Sequence, residues 1–243
     1  METWAYRELY ELEDDHWWFR SRRHVVSALL AREDLPVAPR ILDAGCGTGR
    51  NLVEYARLGA VEGVDMSDEA VEFCHQRGFD GVQRSTLEEL PFEDGRFDLI
   101  TATDVIEHID DDVAVLRELR RVAAPDGRLM ITVPAYQWLW TQHDESLHHK
   151  RRYTAKRLRA SVTAAGWTPR TETYFFMSTL APVAAVRALR RVKPAPEGST
   201  DLALTNGTLN RFLDLPAKGE ARLIERGRRL PAGVSLGMVC APS

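Results

Sequence analysis

Asp43 stands two residues ahead of three alternating glycines, Gly45, Gly47 and Gly49, with Cys46 and Thr48 between them. Glycine is needed where backbone must approach a ligand closely and then turn sharply into a helix. The spacing is Gly-x-Gly-x-Gly rather than the Gly-x-Gly-x-x-Gly of dinucleotide loops. A carboxylate at Asp43 would repel a pyrophosphate, but it suits a ligand with a cationic end. Asp65 closes a second strand-like run, where a carboxylate can accept both ribose hydroxyls of an adenosine.

Two further groups of residues could act on an acceptor. Asp104-Val105-Ile106-Glu107-His108 follows the strand-like run Phe97–Thr101. Asp104 and Glu107 are three apart and share a face if the segment is helical, and His108 adjoins them. Oxygen ligands with one imidazole suit Mg²⁺ or a similar divalent ion, although the same residues can simply line a cofactor cavity. The second group lies between Tyr136 and Tyr153 and includes Trp138, Trp140, His143, Asp144, His148, His149, Arg151 and Arg152. His143 beside Asp144 is the leading general base, because an acidic neighbour orients and charges an imidazole. His108, Tyr136 and His148 are the other catalytic candidates.

These residues need a frame that brings strand ends together. Short β-rich runs at Arg40–Asp43, Val61–Asp65, Phe97–Thr101 and Leu129–Val133 alternate with helical spacing at Ala70, Val71, Cys74 and at Val113, Leu116, Leu119, Val122. Ser67 followed by Asp68 and Glu69 reads as a helix start, and Gly78 as its stop. Pro125-Asp126-Gly127 reads as a turn before the next strand. Such alternation predicts a parallel sheet with helices on both faces. Thr154 starts another amphipathic helix, through Leu158, Val162 and Ala165, which Gly166 ends. Thr171–Phe175 and Val234–Val239 are strand-like, and the second can pair antiparallel. The first forty residues are helical and lie outside the alternation, like a lid. There His16-Trp17-Trp18-Phe19-Arg20-Ser21-Arg22-Arg23 sets aromatics beside arginines, which could face a sulfonium or clamp a carboxylate.

Composition bounds the possibilities. The 243 residues carry 32 Lys+Arg against 36 Asp+Glu, a net charge of -4, which leaves no basic footprint for nucleic acid. Three cysteines are too few and scattered for a disulfide framework or zinc cluster. No basic start followed by an apolar run marks a secretory signal, so a soluble, cytoplasmic chain is expected. Tyr174 to Lys193 is apolar first and basic last, and could rest on an anionic membrane or form an edge strand and a core helix. It is too broken to span a bilayer.

S-adenosylmethionine combines an adenosine with ammonium and sulfonium charges, the ligand that the loop and its two acids describe. The stretch 38–135 resembles the class I S-adenosylmethionine-dependent methyltransferases (methyltransferase type 11), in particular the branch of ubiquinone and menaquinone biosynthesis. Leu42–Gly49 matches the first family motif, and Gly63-Val64-Asp65-Met66-Ser67 the second. Leu90-Pro91-Phe92, Phe97-Asp98-Leu99-Ile100, Asp104–His108 and Gly127-Arg128-Leu129 follow in order. The resemblance implies a Rossmann-like sandwich with a mostly parallel seven-stranded sheet, the last strand antiparallel, and an N-terminal helical lid. It implies that Gly45, Gly47 and Gly49 pass beneath the methionine moiety, that Asp65 holds the ribose and that Met66 packs on the adenine. Asp43, Cys46, Asp104, Val105, Trp18 and Arg23 complete the expected cofactor lining. Relatives usually have an acidic residue four positions before the Leu-Pro-Phe triplet. Here Thr86 stands there, so Thr86 and Leu87 are the expected adenine contacts. In the quinone O-methyltransferases the acid-x-x-Glu-His pattern has been linked to a divalent metal, which makes Asp104, Glu107 and His108 a possible set.

The expectation is one methyltransferase domain over 1–243, with a lid at 1–38, a cofactor core at 39–135 and an acceptor side at 136–243, where 193–206 reads as mobile. The reaction expected is transfer of the S-adenosylmethionine methyl group to a small molecule of secondary-metabolite, quinone-like or isoprenoid character, leaving S-adenosylhomocysteine. A macromolecular acceptor (protein or RNA) and a non-catalytic binding partner are the alternatives. Neither nucleic-acid binding nor stable membrane insertion is expected. Weak membrane-surface contact is compatible with the composition, as is a monomer or homodimer.

Overall fold

The structure is a computed structural model that describes residues 3–192 and 207–243; the expected mobile connection at 193–206 lies outside the described residues. Its strands are β1 (Arg40–Ala44), β2 (Ala60–Asp65), β3 (Val82–Arg84), β4 (Phe97–Thr103), β5 (Ala123–Pro134), β6 (Trp167–Phe175) and β7 (Ser235–Pro242). They form one seven-stranded sheet in the order β3-β2-β1-β4-β5-β7-β6. Pairing is parallel from β3 to β5, and β7 lies antiparallel to both β5 and β6. Strand order reverses between β1 and β4, which opens a crevice at their carboxyl ends, where ligands bind in sheets of this kind.

Helices α1 (Thr3–Leu12), α2 (Trp17–Leu30), α3 (Arg50–Tyr55), α4 (Asp68–Gln76), α5 (Asp112–Val122), α6 (Gln142–Ser146), α7 (Ala155–Ala164), α8 (Met177–Val192) and α9 (Gly207–Glu225) surround the sheet. Period-two alternation divides the strand residues between two cores. Leu42, Ile100, Leu129, Ile131 and Met238 face α5 and α7, packing on Leu116, Leu119, Leu158 and Val162. Their neighbours Ile41, Leu99, Met130 and Val239 face the other way, onto Val25 and Leu29 of α2 and Ala221 and Ile224 of α9. Ser67 caps α4 by accepting from the Ala70 amide, and Thr154 caps α7 through the Arg157 amide.

One local expectation is corrected, and one strand had no sequence signal. Pro125-Asp126-Gly127 is no turn between helix and strand but lies within β5. Phe97 pairs with Ala123 and Leu99 with Arg128, so the triplet is taken up where β5 bulges against β4. β3 has only three residues, too few to show a period, and is specified by its pairing with Gly63–Asp65.

Leu119 is fully buried on the inner face of α5. Leu119→Ala is expected to lower stability by about 2–5 kcal/mol. Urea unfolding should show a lower midpoint with an unchanged slope.

Candidate functional site

The glycine loop runs from the end of β1 into α3, and Gly45, Gly47 and Gly49 have φ of +75°, +53° and +81°. A Cβ on Gly45 would lie 2.7 Å from Val105 Cγ2, and one on Gly49 would lie 2.8 Å from Cys74 Sγ. At Gly47 a Cβ would meet nothing within 4 Å. The loop is thus pressed from behind by the segment after β4 and by α4, and open at Gly47. Cys46 is a support and not part of the open side. Its amide donates to the Val64 carbonyl, and its thiol lies 3.8 Å from Cys74 in a small core with Leu52 and Val82.

Asp43 is fully buried below this loop. Its Oδ1 accepts from Thr101 Oγ1 at 2.6 Å, while Oδ2 has no partner among the described residues. Burial pushes its pKa up to about 7, against the pull of Thr101 and Arg22. Asp65 ends β2 and is well supplied with donors: the Gly47 amide at 3.0 Å, the Ser67 amide at 3.1 Å and the Tyr6 hydroxyl at 3.2 Å. Met66 beside it is 65% exposed, Thr86 is exposed and Leu87 is buried. An orphaned buried carboxylate oxygen, an unobstructed glycine and an acid at the second strand end fit a ligand joining a cationic end to a ribose.

The N-terminal helices close over this crevice through ion pairs. Glu13 bonds Thr48 of the loop and Arg77, the latter at 2.8 Å, and Asp14 pairs with Arg50. Arg22 reaches Asp104, whose other oxygen accepts from Thr132 at 2.9 Å. The arginine beside Asp104 is therefore Arg22, one position before the Arg23 singled out from sequence. Neighbouring helix residues diverge by about 100°, so aligned side chains cannot be chosen without the helix phase. Arg23 is half-buried nearby, where burial, then Arg50 and Arg22, lower its pKa to about 10. Trp18 packs against aromatic neighbours, its ring 4.4 Å from Phe176 and 5.6 Å from Trp17.

After β4, Asp104 has φ +57° and Ile106–His108 form a single 3-10 turn, so no helical face joins Asp104 to Glu107. Glu107 is fully buried, both its oxygens lack partners among the described residues, and burial followed by the charge of Asp104 raises its pKa. Burial, with His149 beside it, lowers the His108 pKa to about 3. Its ring lies 4.7 Å from that of His149, nearly perpendicular. Donor atoms of Glu107, His108 and His149 fall within 4.8 Å of one another. A divalent cation could therefore be held by Glu107, His108 and His149, whereas Asp104 is engaged by Arg22.

The expected His143–Asp144 pair is also redrawn. Asp144 is the third residue of α6 and accepts from the Thr141 amide as part of a capping box. Its carboxylate bonds His149 Nδ1 at 2.9 Å, Arg152 Nε at 2.6 Å and Arg187 at 3.2 Å. Burial would raise its pKa, but His149, Arg152 and Arg187 outweigh burial and hold it well below the ordinary carboxylate range. The acid thus orients His149, five residues on. No local spacing signalled this, because the chain returns to Asp144 only after the αL residue His148, at φ +56°. His148 itself is exposed. Tyr136 is stacked between Trp138 at 5.7 Å and Tyr174 at 5.1 Å, and burial, with Tyr174, raises its pKa to about 12.

Residues 42–131 match the family model described as a methyltransferase domain. Over 165 residues the chain is 30% identical to a probable S-adenosylmethionine-dependent methyltransferase of Mycobacterium tuberculosis, covering 66% of this chain and 59% of that protein. Over 109 residues it is 35% identical to a ubiquinone biosynthesis O-methyltransferase of Xanthomonas oryzae pv. oryzae, covering 42% of this chain and 45% of the relative. The chain thus spans less than half the length of the first curated relatives it matches. Among solved structures, a SAM-dependent methyltransferase from Thermotoga maritima superposes with a TM-score of 0.63 at 17% identity, over 98% of this chain and 95% of that one. A chain of the Haloferax volcanii complex containing the Trm112 methyltransferase activator gives 0.64 at 20% identity, over 98% and 94%. At these identities the likeness is one of fold.

Asp144→Ala leaves Arg152 and Arg187 buried without their counter-charge. Removing one partner of a buried ion pair should lower stability by about 3–5 kcal/mol, read by chemical denaturation. A loss below about 1 kcal/mol would mean that the two arginines find other acceptors.

Proposed function

We propose that the chain, whose residues 42–131 match a methyltransferase-domain model, uses S-adenosylmethionine to methylate a small, largely apolar acceptor. The observation that carries this reading is the open glycine loop flanked by Asp43 and Asp65. Bound there, S-adenosylmethionine supplies a methyl group on a sulfonium already activated for displacement. Asp43 would take its cationic end, which restores a counter-charge to an orphaned buried carboxylate. Asp65 would take the ribose hydroxyls in exchange for the Tyr6 hydroxyl that it now accepts. Gly45 lies against Val105, so the loop and the turn carrying His108 form one wall. Methyl transfer needs alignment and exclusion of water above all, and α1 and α2 supply a cover.

Where the acceptor is a hydroxyl, a base must remove its proton. His149 fits that role better than His143, since Asp144 fixes its Nδ1 and leaves Nε2 as the acceptor. The stacked rings of Tyr174, Tyr136 and Trp138 offer a flat apolar wall to a planar or isoprenoid acceptor. The partial resemblance to ubiquinone biosynthesis O-methyltransferases supports a quinone-like substrate class.

Incubating the protein with methyl-labelled S-adenosylmethionine and a small-molecule cell extract should place label in the organic phase. Label confined to the aqueous phase would overturn the apolar acceptor. Asp65→Ala is expected to weaken S-adenosylhomocysteine binding by about 10–100-fold in calorimetry, the loss of charged hydrogen bonds. His149→Ala should leave that binding intact and lower turnover by about 10²–10⁴-fold, with a much smaller effect for His143→Ala. The reverse order would return the base to His143.

A further inference from the structure

Helices α8 and α9 both pack on the sheet face that carries α2. Leu180 and Val183 of α8 lie against the same core as Ala217, Ala221 and Ile224 of α9. Their outer faces therefore both turn away from the sheet. A surface helix ordinarily presents charged and polar residues on that side. Here every exposed residue from Met177 to Leu189 is uncharged, and Leu189 is 65% exposed. On α9, Phe212 and Leu215 are 67% and 64% exposed, and Leu223 continues their stripe at helical spacing. The basic side chain that belongs to this segment, Arg187, is instead turned inward to Asp144.

The stripe on α9 ends in cations. Arg222 and Arg226 follow Leu215 at seven and eleven residues, on the same face, and both are exposed. Residues 222–229 hold four arginines and one glutamate, all exposed, in a chain whose net charge is -4. An apolar face bordered by cations complements a layer that is anionic at its surface and apolar beneath. We propose that the outer face of α8 and α9 docks on an anionic lipid bilayer, with Leu189, Phe212 and Leu215 entering the acyl boundary and Arg222 and Arg226 meeting the headgroups. The opposite, Leu180–Val183 side of α8 packs in one cluster with Trp18 and Tyr136. This docking goes beyond the methyl-transfer reading and requires none of its residues.

The test is cosedimentation of the full chain with vesicles of phosphatidylcholine alone or mixed with phosphatidylglycerol. We expect binding to the mixed vesicles, weaker binding to the neutral ones, and loss of binding as salt rises. Leu189→Glu with Phe212→Glu, and separately Arg222→Glu with Arg226→Glu, should each weaken partitioning by about tenfold or more. Thermal unfolding and S-adenosylhomocysteine calorimetry of both variants should match the parent, which separates lost docking from lost folding or a lost cofactor site. Failure to sediment with either vesicle, or unchanged sedimentation of Leu189→Glu with Phe212→Glu, overturns the proposal. So does a concentration-dependent dimer that the same pair of substitutions dissolves, since the face would then belong to a second copy.

Discussion

A carboxylate removed from water keeps its charge only when a cation or several donors are buried with it. This protein gathers Asp43, Asp65, Asp104, Glu107 and Asp144 around the carboxyl edge of one sheet. The way each is satisfied organises the molecule. Asp104 draws Arg22 down from α2, Asp65 draws Tyr6 from α1, and Asp144 gathers Arg152, Arg187 and His149. Segments far apart in sequence are thereby tied to the crevice by charge as well as by packing. Asp43 and Glu107 keep carboxylate oxygens without partners among the described residues, and both have raised pKa values. Val105, two residues before Glu107, packs behind Gly45 of the loop that follows Asp43.

The same electrostatics separates two jobs. Around the glycine loop the acids are held by backbone amides and hydroxyls, groups that can exchange with a ligand's own hydroxyls at little cost. Around α6, Asp144 is held by two buried guanidinium groups, a rigid arrangement. A histidine oriented by such an acid is fixed in tautomer and direction. His108 and His149 make edge contact, and burial keeps His108 neutral at physiological pH. Two adjacent cationic imidazoles would repel, so His149 adds to burial in keeping His108 neutral.

Arg187 links this interior to the outer surface. By turning inward to Asp144 it leaves every exposed residue from Met177 to Leu189 uncharged, while exposed arginines gather at the end of α9. Among the described residues no helix is long and apolar enough to cross a membrane. The inner faces of α8 and α9 share a core with Trp18 and Tyr136.

Strand ends, glycine positions and helix caps were legible in the sequence because they rest on local rules. Short β-rich runs marked β1, β2, β4 and β6, Ser67 and Thr154 marked their helices, and Asp43 and Asp65 stood at the strand ends beside the glycines. β3, the bulge at Pro125–Gly127 and every long-range partner were not. Asp144 chose His149 over its neighbour His143, and Arg22 rather than Arg23 met Asp104. Those choices depend on helix phase and on where the chain returns in space, and no local spacing records either. The sequence by itself determined the sheet, the glycine cradle and the chemical character of the ligand, since each follows from residue type and periodicity. Only the tertiary structure decided which acid pairs with which base, because a buried charge is settled by whatever counter-charge the whole fold brings within hydrogen-bonding reach.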